Sequence, residues 1–388
     1  MAASGKSAIR FIVALGVISL FADVTYEGAR SVNGPFLGTL GADAVVIGFV
    51  SGAGELAGYL LRLAAGVAAD RTRAYWPLTI FGYIVNLLAV PLMALSNHWG
   101  IAALLIILER AGKGVRTPAR DVMLAQASSI IGRGWGFGLH EFMDQTGAFI
   151  GPLVVALVLH QTGQYSNAYA VLAIPAGLAL ASLFTARKFY PDPSRFEEEQ
   201  PSPTPANDHL PRAFWIYVAA AGLLAAGFVD FPLFAYHFQK TALLSPPMIP
   251  IFYAGAMGIE GLTALVFGKL FDKIGISALI FGVLLSAASS PLVFLGSFNA
   301  AAVGVALWGA GMGAQQSTLR AKVASLAPAD RRGTAYGIFN TVYGVLWFAG
   351  SATIGILYGR ALSGAVAFAM SAQILAIPLL WTAGRKSI

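Results

Sequence analysis

Long apolar runs broken by short polar or turn-forming stretches recur along the 388 residues of this chain. Each run is long enough to cross a bilayer as a helix, which takes about 20 mostly apolar residues. The pattern predicts twelve helical spans. They lie at about 9–37, 44–69, 75–95, 99–119, 134–159 and 165–186, then 213–238, 247–270, 275–296, 299–321, 333–358 and 362–383. Connections are short except for residues 187–212, RKFYPDPSRFEEEQPSPTPANDHLPR. Its Pro, Glu and Ser content reads as a solvated, flexible linker. The expected organisation is an all-α polytopic membrane protein: a six-helix bundle over 1–186, a cytoplasmic linker over 187–212 and a second six-helix bundle over 213–388.

Composition agrees and narrows the function. Hydrophobic residues make up 57% of the chain and charged residues 11%, whereas soluble domains carry about 25% charge. A cytosolic enzyme, a nucleic-acid binder and a disulfide-stapled secreted fold are excluded. There is no Cys, so thiolate metal sites, redox pairs and cysteine nucleophiles are excluded too. Lys6 and Arg10 precede an apolar run as in a signal peptide. The run continues without a small-residue cleavage site, so it reads as the first span.

The formal charge of +7 has a topological reading. Of the 25 Lys and Arg residues, nineteen fall at the chain ends, in the even-to-odd loops or at the span edges beside them. Arg116 and Arg120 count among these on the predicted boundaries. Lys240 and Arg360 lie on the other side. The positive-inside rule then puts both termini and the linker in the cytoplasm. Short outer loops, no N-x-[S/T] sequon and no Cys fit a multi-pass protein of a prokaryotic inner membrane. Trp76, Trp99, Trp215 and Trp381 lie near predicted interfaces, as belt anchors do.

The two halves repeat one another. Gly66 and Asp70-Arg71 after span 2 recur as Gly268 and Asp272-Lys273 after span 8, at an offset of 202. Arg133-Gly134, Gly138, Gly112, Gly114 and Gly151 recur as Arg332-Gly333, Gly337, Gly311, Gly313 and Gly350, all at 199. Parallel six-span repeats of this kind mark alternating-access transporters.

On these residues the chain resembles the major facilitator superfamily over essentially its whole length. The family's G-x-x-x-D-R-x-G-R-R loop is matched by Gly66, Asp70, Arg71 and Arg73, without the inner Gly and final basic pair. Its span 4 pattern R-x-x-Q-G appears as Arg110-Ala-Gly-Lys113-Gly114, with Lys for Gln. Its span 5 pattern appears as Gly147-Ala-Phe-Ile-Gly151-Pro152. In the family that last pattern is associated with antiporters, so the resemblance implies export. Physically, Asp70 beside Arg71 can latch a neighbouring helix in one state and release it in another. Gly147 and Gly151 let two helix backbones approach, and Pro152 can bend its span. Asp272 is the second-half counterpart of Asp70.

Ionisable side chains inside spans are costly and read as functional. Here they concentrate in the first half. Asp23, Glu27 and Arg30 lie at i, i+4 and i+7, on one helix face, as do Glu109, Lys113, Arg116 and Arg120. His140 and Asp144 lie one turn apart beside Glu141, and span 7 carries Asp230. The resemblance places spans 1, 4, 7 and 10 around a central cavity, hence Asp23, Glu27, Arg110, Lys113 and Asp230 near cargo or protons. Asp23, Glu27 and Asp144 are the expected proton carriers, with Arg110 as the modulating cation. Asp23, His140, Glu141 and Asp144 are also the weak candidates for a divalent-metal site.

No P-loop, Ser/His/Asp arrangement or metal-hydrolase spacing is present. The expected activity is therefore not enzymatic. It is secondary active transport of a small organic compound, by proton-coupled antiport directed to efflux, with a divalent-metal exporter or a uniporter as the alternative. No cofactor is expected. The expected partners are a small-molecule substrate, protons and the bilayer, with no nucleic acid, and the chain reads as a monomer. Aromatic residues of spans 7, 10 and 11, among them Phe231, Phe234, Tyr343 and Trp347, would suit an amphipathic cargo or serve as packing.

Overall fold

A computed structural model describes residues 5–192, 210–327 and 331–385. Most of the predicted linker, residues 193–209, lies outside the described residues. The helices group into twelve. In the first half these are α1 (Gly5–Arg30, continued by Asn33–Thr39), α2 (Ala44–Thr72), α3 (Tyr75–Leu92, closed by a 3-10 turn at Met93–Leu95), α4 (Trp99–Ile131), α5 (Arg133–Thr162) and α6 (Tyr165–Val171, continued by Ala173–Phe189). The second half contains α7 (Arg212–Gly227, continued by Phe231–Lys240), α8 (Met248–Ile274), α9 (Ile276–Leu295), α10 (Phe298–Leu326), α11 (Arg332–Arg360) and α12 (Leu362–Arg385). No strand occurs among the described residues.

Ten of the helices are long and apolar enough to cross a membrane. α4 and α10 fall short on composition. α4 carries Glu109, Arg110, Lys113, Arg116, Arg120 and Asp121, and α10 carries Gln315 and Gln316 beside its many Gly and Ala. Backbone satisfaction inside a bilayer leaves helix as the form available to each run. The break in α7 at Phe228–Asp230 is written locally: Asp230 takes the N-cap position and a Pro stands in the first turn that follows, where its missing N–H costs nothing.

By contacts the chain divides into two compact units. One runs up to Asn33 and resumes at Ala57, ending in the linker. The other combines Gly34–Leu56 with the chain beyond the linker. Within the second unit, a Cβ on Gly52 would meet the Phe348 Cα at 2.9 Å, and one on Gly48 would meet the Gly355 Cα at 3.0 Å. Segment Gly34–Leu56 thus packs on α11.

The repeat seen in the sequence is a repeat of helix pairings. In the first unit Gly151 of α5 abuts Val24 and Gly28 of α1, Gly112 of α4 abuts Gly82 and Asn86 of α3, and Gly114 of α4 abuts Gly58 of α2. In the second unit Gly350 of α11 abuts Ala226 of α7, Gly311 of α10 abuts Gly282 and Ser286 of α9, and Gly313 of α10 abuts Glu260 of α8. These three Gly pairs at offset 199 make the same contact, each in its own unit. Small residues at these crossings let backbones touch where a side chain would hold them apart.

One helix boundary changes the reading of charge. The sequence ends span 4 near residue 119, but α4 continues to Ile131. Arg116 and Arg120 therefore lie inside a helix, and Arg116 is buried. They are not loop charges that set orientation. Trp76, read as an interfacial anchor, is also buried, and its Nε1 donates to the Tyr190 carbonyl at 2.9 Å.

Candidate functional site

The buried charges of the first unit sit on α1, α4 and α5. The two stripes predicted on α1 and α4 meet where Lys113 Nζ lies 3.7 Å from Glu27 Oε1 and 4.0 Å from the centroid of the Tyr26 ring. Tyr26 donates its hydroxyl to Asp23, one turn back on α1. Asp23 is buried, and its Cβ would lie 2.9 Å from a Cβ on Gly147. The small residue of α5 makes room for it. Among the described residues Asp23 has this neutral phenol as its hydrogen-bond partner and no ion pair.

A second group forms toward the later turns of α4. Arg120 holds Asp121 at 2.8 Å and lies 3.7 Å from Asp144 Oδ2. Its Nη1 also donates to Ser19 Oγ at 3.1 Å. His140 Nδ1 lies 3.5 Å from Asp144 Oδ1, and its Nε2 is 3.1 Å from Ser19 Oγ. Ser19 is in turn 3.3 Å from the Tyr83 hydroxyl on α3. One small hydroxyl on α1 therefore joins α3, α4 and α5 through polar contacts. Between the two groups stands Arg116, with its guanidinium carbon 4.2 Å from the centroid of the Tyr83 ring.

Glu109 is satisfied differently. Asn86 of α3 donates to both its carbonyl, at 3.0 Å, and its Oε1, at 2.9 Å. Arg110 Nε lies 3.3 Å from Glu109 Oε2. The pairing matters because an unpartnered buried charge costs several kcal/mol, while a hydrogen-bonded pair is tolerable.

The predicted residues separate on this geometry. Asp23, Glu27 and Lys113 come together, as do His140 and Asp144. The cations beside Glu27 and Asp144 are Lys113 and Arg120, whereas Arg110 has Glu109 as a neighbour. Glu141 is exposed and accepts from Gln145 at 3.2 Å. Asp23, His140, Glu141 and Asp144 form no metal-ligand set, and no group of three such ligands occurs among the described residues. Gly147 and Gly151 hold α5 against α1, and Pro152 lies within α5. Asp70, Arg71 and Asp272 are exposed at helix C-termini, and Gly66 is in ordinary contact with Pro118 at 3.8 Å.

Asp230, in the second unit, is buried at the break of α7. Its Oδ2 accepts from Trp347 Nε1 at 3.0 Å and Ser351 Oγ at 2.7 Å, both on α11. Glu260 accepts from Gln316, and His237 Nδ1 is 2.8 Å from the Tyr358 hydroxyl. The aromatic residues of α7, α10 and α11 largely contact one another. Phe228 lies 5.6 Å from Trp308 and 5.4 Å from Trp347, and Tyr343 lies 5.5 Å from both Phe339 and Trp347.

Ser19, Tyr26 and Tyr83 are not marked by the sequence, and Arg120 reads there as a loop-side charge. The α4 stripe already contained Arg120, but the early span boundary placed it near a loop. Hydroxyl residues within an apolar helix give no comparable signal.

Comparison with known proteins agrees with this architecture. The family model described as Major Facilitator Superfamily matches residues 13–351. An uncharacterized protein of Mycobacterium tuberculosis is 40% identical over 381 residues, covering 97% of this chain and 93% of its own length. An uncharacterized MFS-type transporter of Methanocaldococcus jannaschii is 23% identical over 89% of this chain and 87% of its own. The crystal structure of the nucleoside transporter NupG superposes with a TM-score of 0.73 at 12% identity, covering 97% of this chain and 98% of that one. Twelve helices in two repeated units, with buried charge on α1, α4 and α5 and a family match over most of the length, make this multi-pass membrane chain a member of the Major Facilitator Superfamily.

Proposed function

We propose that the chain is a proton-coupled antiporter that exports a small organic compound across a prokaryotic inner membrane by alternating access. Both termini and the linker face the cytoplasm in this reading, and the chain works as a monomer with six-helix bundles at 1–186 and 213–388. Asp23 carries the proton, with Glu27 and Asp144 as further acid sites and Lys113 and Arg120 as the cations that modulate them. Asp230, Arg110, His140 and Glu141 belong to the wider set of candidate proton and substrate residues. Gly66, Asp70, Arg71 and Asp272 are the gating residues.

The observation that carries the reading is the state of Asp23. It is buried, bonded to the neutral hydroxyl of Tyr26 and without an ion pair among the described residues. A carboxylate already locked to a cation gains little from a proton. One held by a phenol can accept a proton and release it when a cation approaches. The Gly147-x-x-x-Gly151-Pro152 pattern supports antiport through the family resemblance.

The test uses everted membrane vesicles energised to an acid interior, with cargo candidates first found by thermal-shift screening of the purified protein. Added cargo should collapse the pH gradient with the wild type. Asp23→Asn should abolish that collapse yet still bind cargo. Transport that proceeds equally with and without a pH gradient would overturn proton coupling.

A further inference from the structure

Arg116 stands apart from the cations around it. Lys113 has Glu27, Arg110 has Glu109, and Arg120 has Asp121 and Asp144. Arg116 is 1% exposed, and its Nε and Nη1 have no hydrogen-bond partner. Its named neighbours are two ring faces, Tyr83 at 4.2 Å and Tyr26 at 5.7 Å from the guanidinium carbon. Aromatic faces stabilise a cation through their quadrupole. They do not replace the directional acceptors that guanidinium N–H groups require. The group cannot shed its charge to escape the cost.

The root of the side chain is fixed. A Cβ on Gly82 would lie 2.6 Å from the Arg116 nitrogen and 2.7 Å from its Cβ, so α3 and α4 touch there. The part of Arg116 left to meet a ligand is its guanidinium. The internal repeat supplies a second observation. Gln315, at the same offset of 199 in the second unit, is buried and takes a bond from the Tyr343 hydroxyl on Oε1 at 3.2 Å. Its Nε2 has no partner. In each unit, considered separately, this register position keeps a donor unspent. Side chains serving only to brace a bundle would spend theirs on a carbonyl or hydroxyl.

We infer that Arg116 is a substrate-binding residue and that the cargo is an organic carboxylate. The inference rests on the transport reading above and deepens it by naming the substrate class. Guanidinium and carboxylate match in charge and in planar hydrogen-bonding geometry. A monoanion fits a buried cation that forms no ion pair among the described residues. A phosphate dianion would bring a second negative charge to a neighbourhood whose other cations are already engaged. Tyr26 and Tyr83 frame the site, and Lys113, in contact with the Tyr26 ring, borders it.

The test is thermal unfolding of the purified full-length chain with acetate, butyrate and benzoate, each against its neutral amide, and with inorganic phosphate. At least one carboxylate should raise the unfolding midpoint saturably while its amide does not. Arg116→Gln should weaken the apparent Kd for that carboxylate by about tenfold or more, and Arg116→Lys by less. If Arg116→Gln fails to fold, Arg116→Lys carries the comparison, because it keeps the charge and loses the planar fork. The inference is overturned if no carboxylate acts, if amides match their carboxylates, if phosphate alone binds, or if Arg116→Gln binds as tightly as wild type. The coupling reading is tested separately: carboxylate transport that proceeds equally with and without a pH gradient would sink proton antiport and leave this inference standing. A pH gradient collapsed by a neutral cargo would do the reverse.

Discussion

Substituting Ala for Gly151 tests whether the repeated glycines set helix separation. The added Cβ would lie 2.9 Å from both the Gly28 nitrogen and the Val24 Cα, and closer still to the Val24 carbonyl oxygen. All three atoms are backbone, so no side chain can swing aside. Ordinary contact requires α5 to retreat from α1 by about 0.5 Å or more, and a gap of that size forfeits a quarter to a half of each pair's dispersion energy. Across the tens of atom pairs at a helix crossing, the expected loss is about 1–3 kcal/mol. Gly350→Ala should show the same effect in the second unit, where Ala226 backbone occupies the space. Gly177→Ala is the control. Nothing lies within 4 Å of a Cβ there, and Ala is the better helix former by about 1 kcal/mol. Unfolding midpoints of the three variants in one detergent give the assay. Gly151→Ala and Gly350→Ala should fall below wild type by several degrees, with Gly177→Ala at or above it. Midpoints for all three within about 1 °C of wild type would refute close packing at these crossings.

Two further outcomes follow from the polar contacts. Glu27→Gln and Lys113→Met should each destabilise the protein, and the double variant should be more stable than the worse single one, because each single change breaks the pair and leaves the other charge at the helix contact. Additive losses in a thermal double-mutant cycle would show that the two side chains do not act as a pair. Ser351→Ala removes a 2.7 Å bond to buried Asp230 and should cost about 1–3 kcal/mol. An unchanged unfolding midpoint would mean that Asp230 does not depend on this bond.

Much of this molecule is legible in one dimension because a bilayer imposes one-dimensional rules. A span must be apolar over its length, so hydropathy locates the helices. Close crossings need small residues, so the glycine repeat at offset 199 reports helix pairings, including Gly112 with Gly82 and Gly311 with Gly282. Charged residues within apolar runs announce themselves, and helical spacing groups Asp23 with Glu27 and Glu109 with Lys113.

Partners are another matter. Ser19 meets His140 across 121 positions, and Trp347 reaches Asp230 across 117. Nothing in the local pattern shows that Lys113 faces Glu27, that Arg120 stands beside Asp144, or that Glu141 points away from its neighbours to the surface. The stripe on α4 names four polar residues with equal emphasis. Packing of α1, α3 and α5 around it decides that Lys113 and Arg120 find acids within 4 Å and that Arg116 lies against aromatic rings without an ion pair. Helical periodicity assigns a side chain to a face of its own helix, while the identity of the opposing side chain depends on where and at what angle separate helices cross. Sequence therefore determined the spans, the repeat and the roster of buried charges. Tertiary structure alone decided which charges are matched, because matching requires atoms from distant segments to come within a few ångströms of one another.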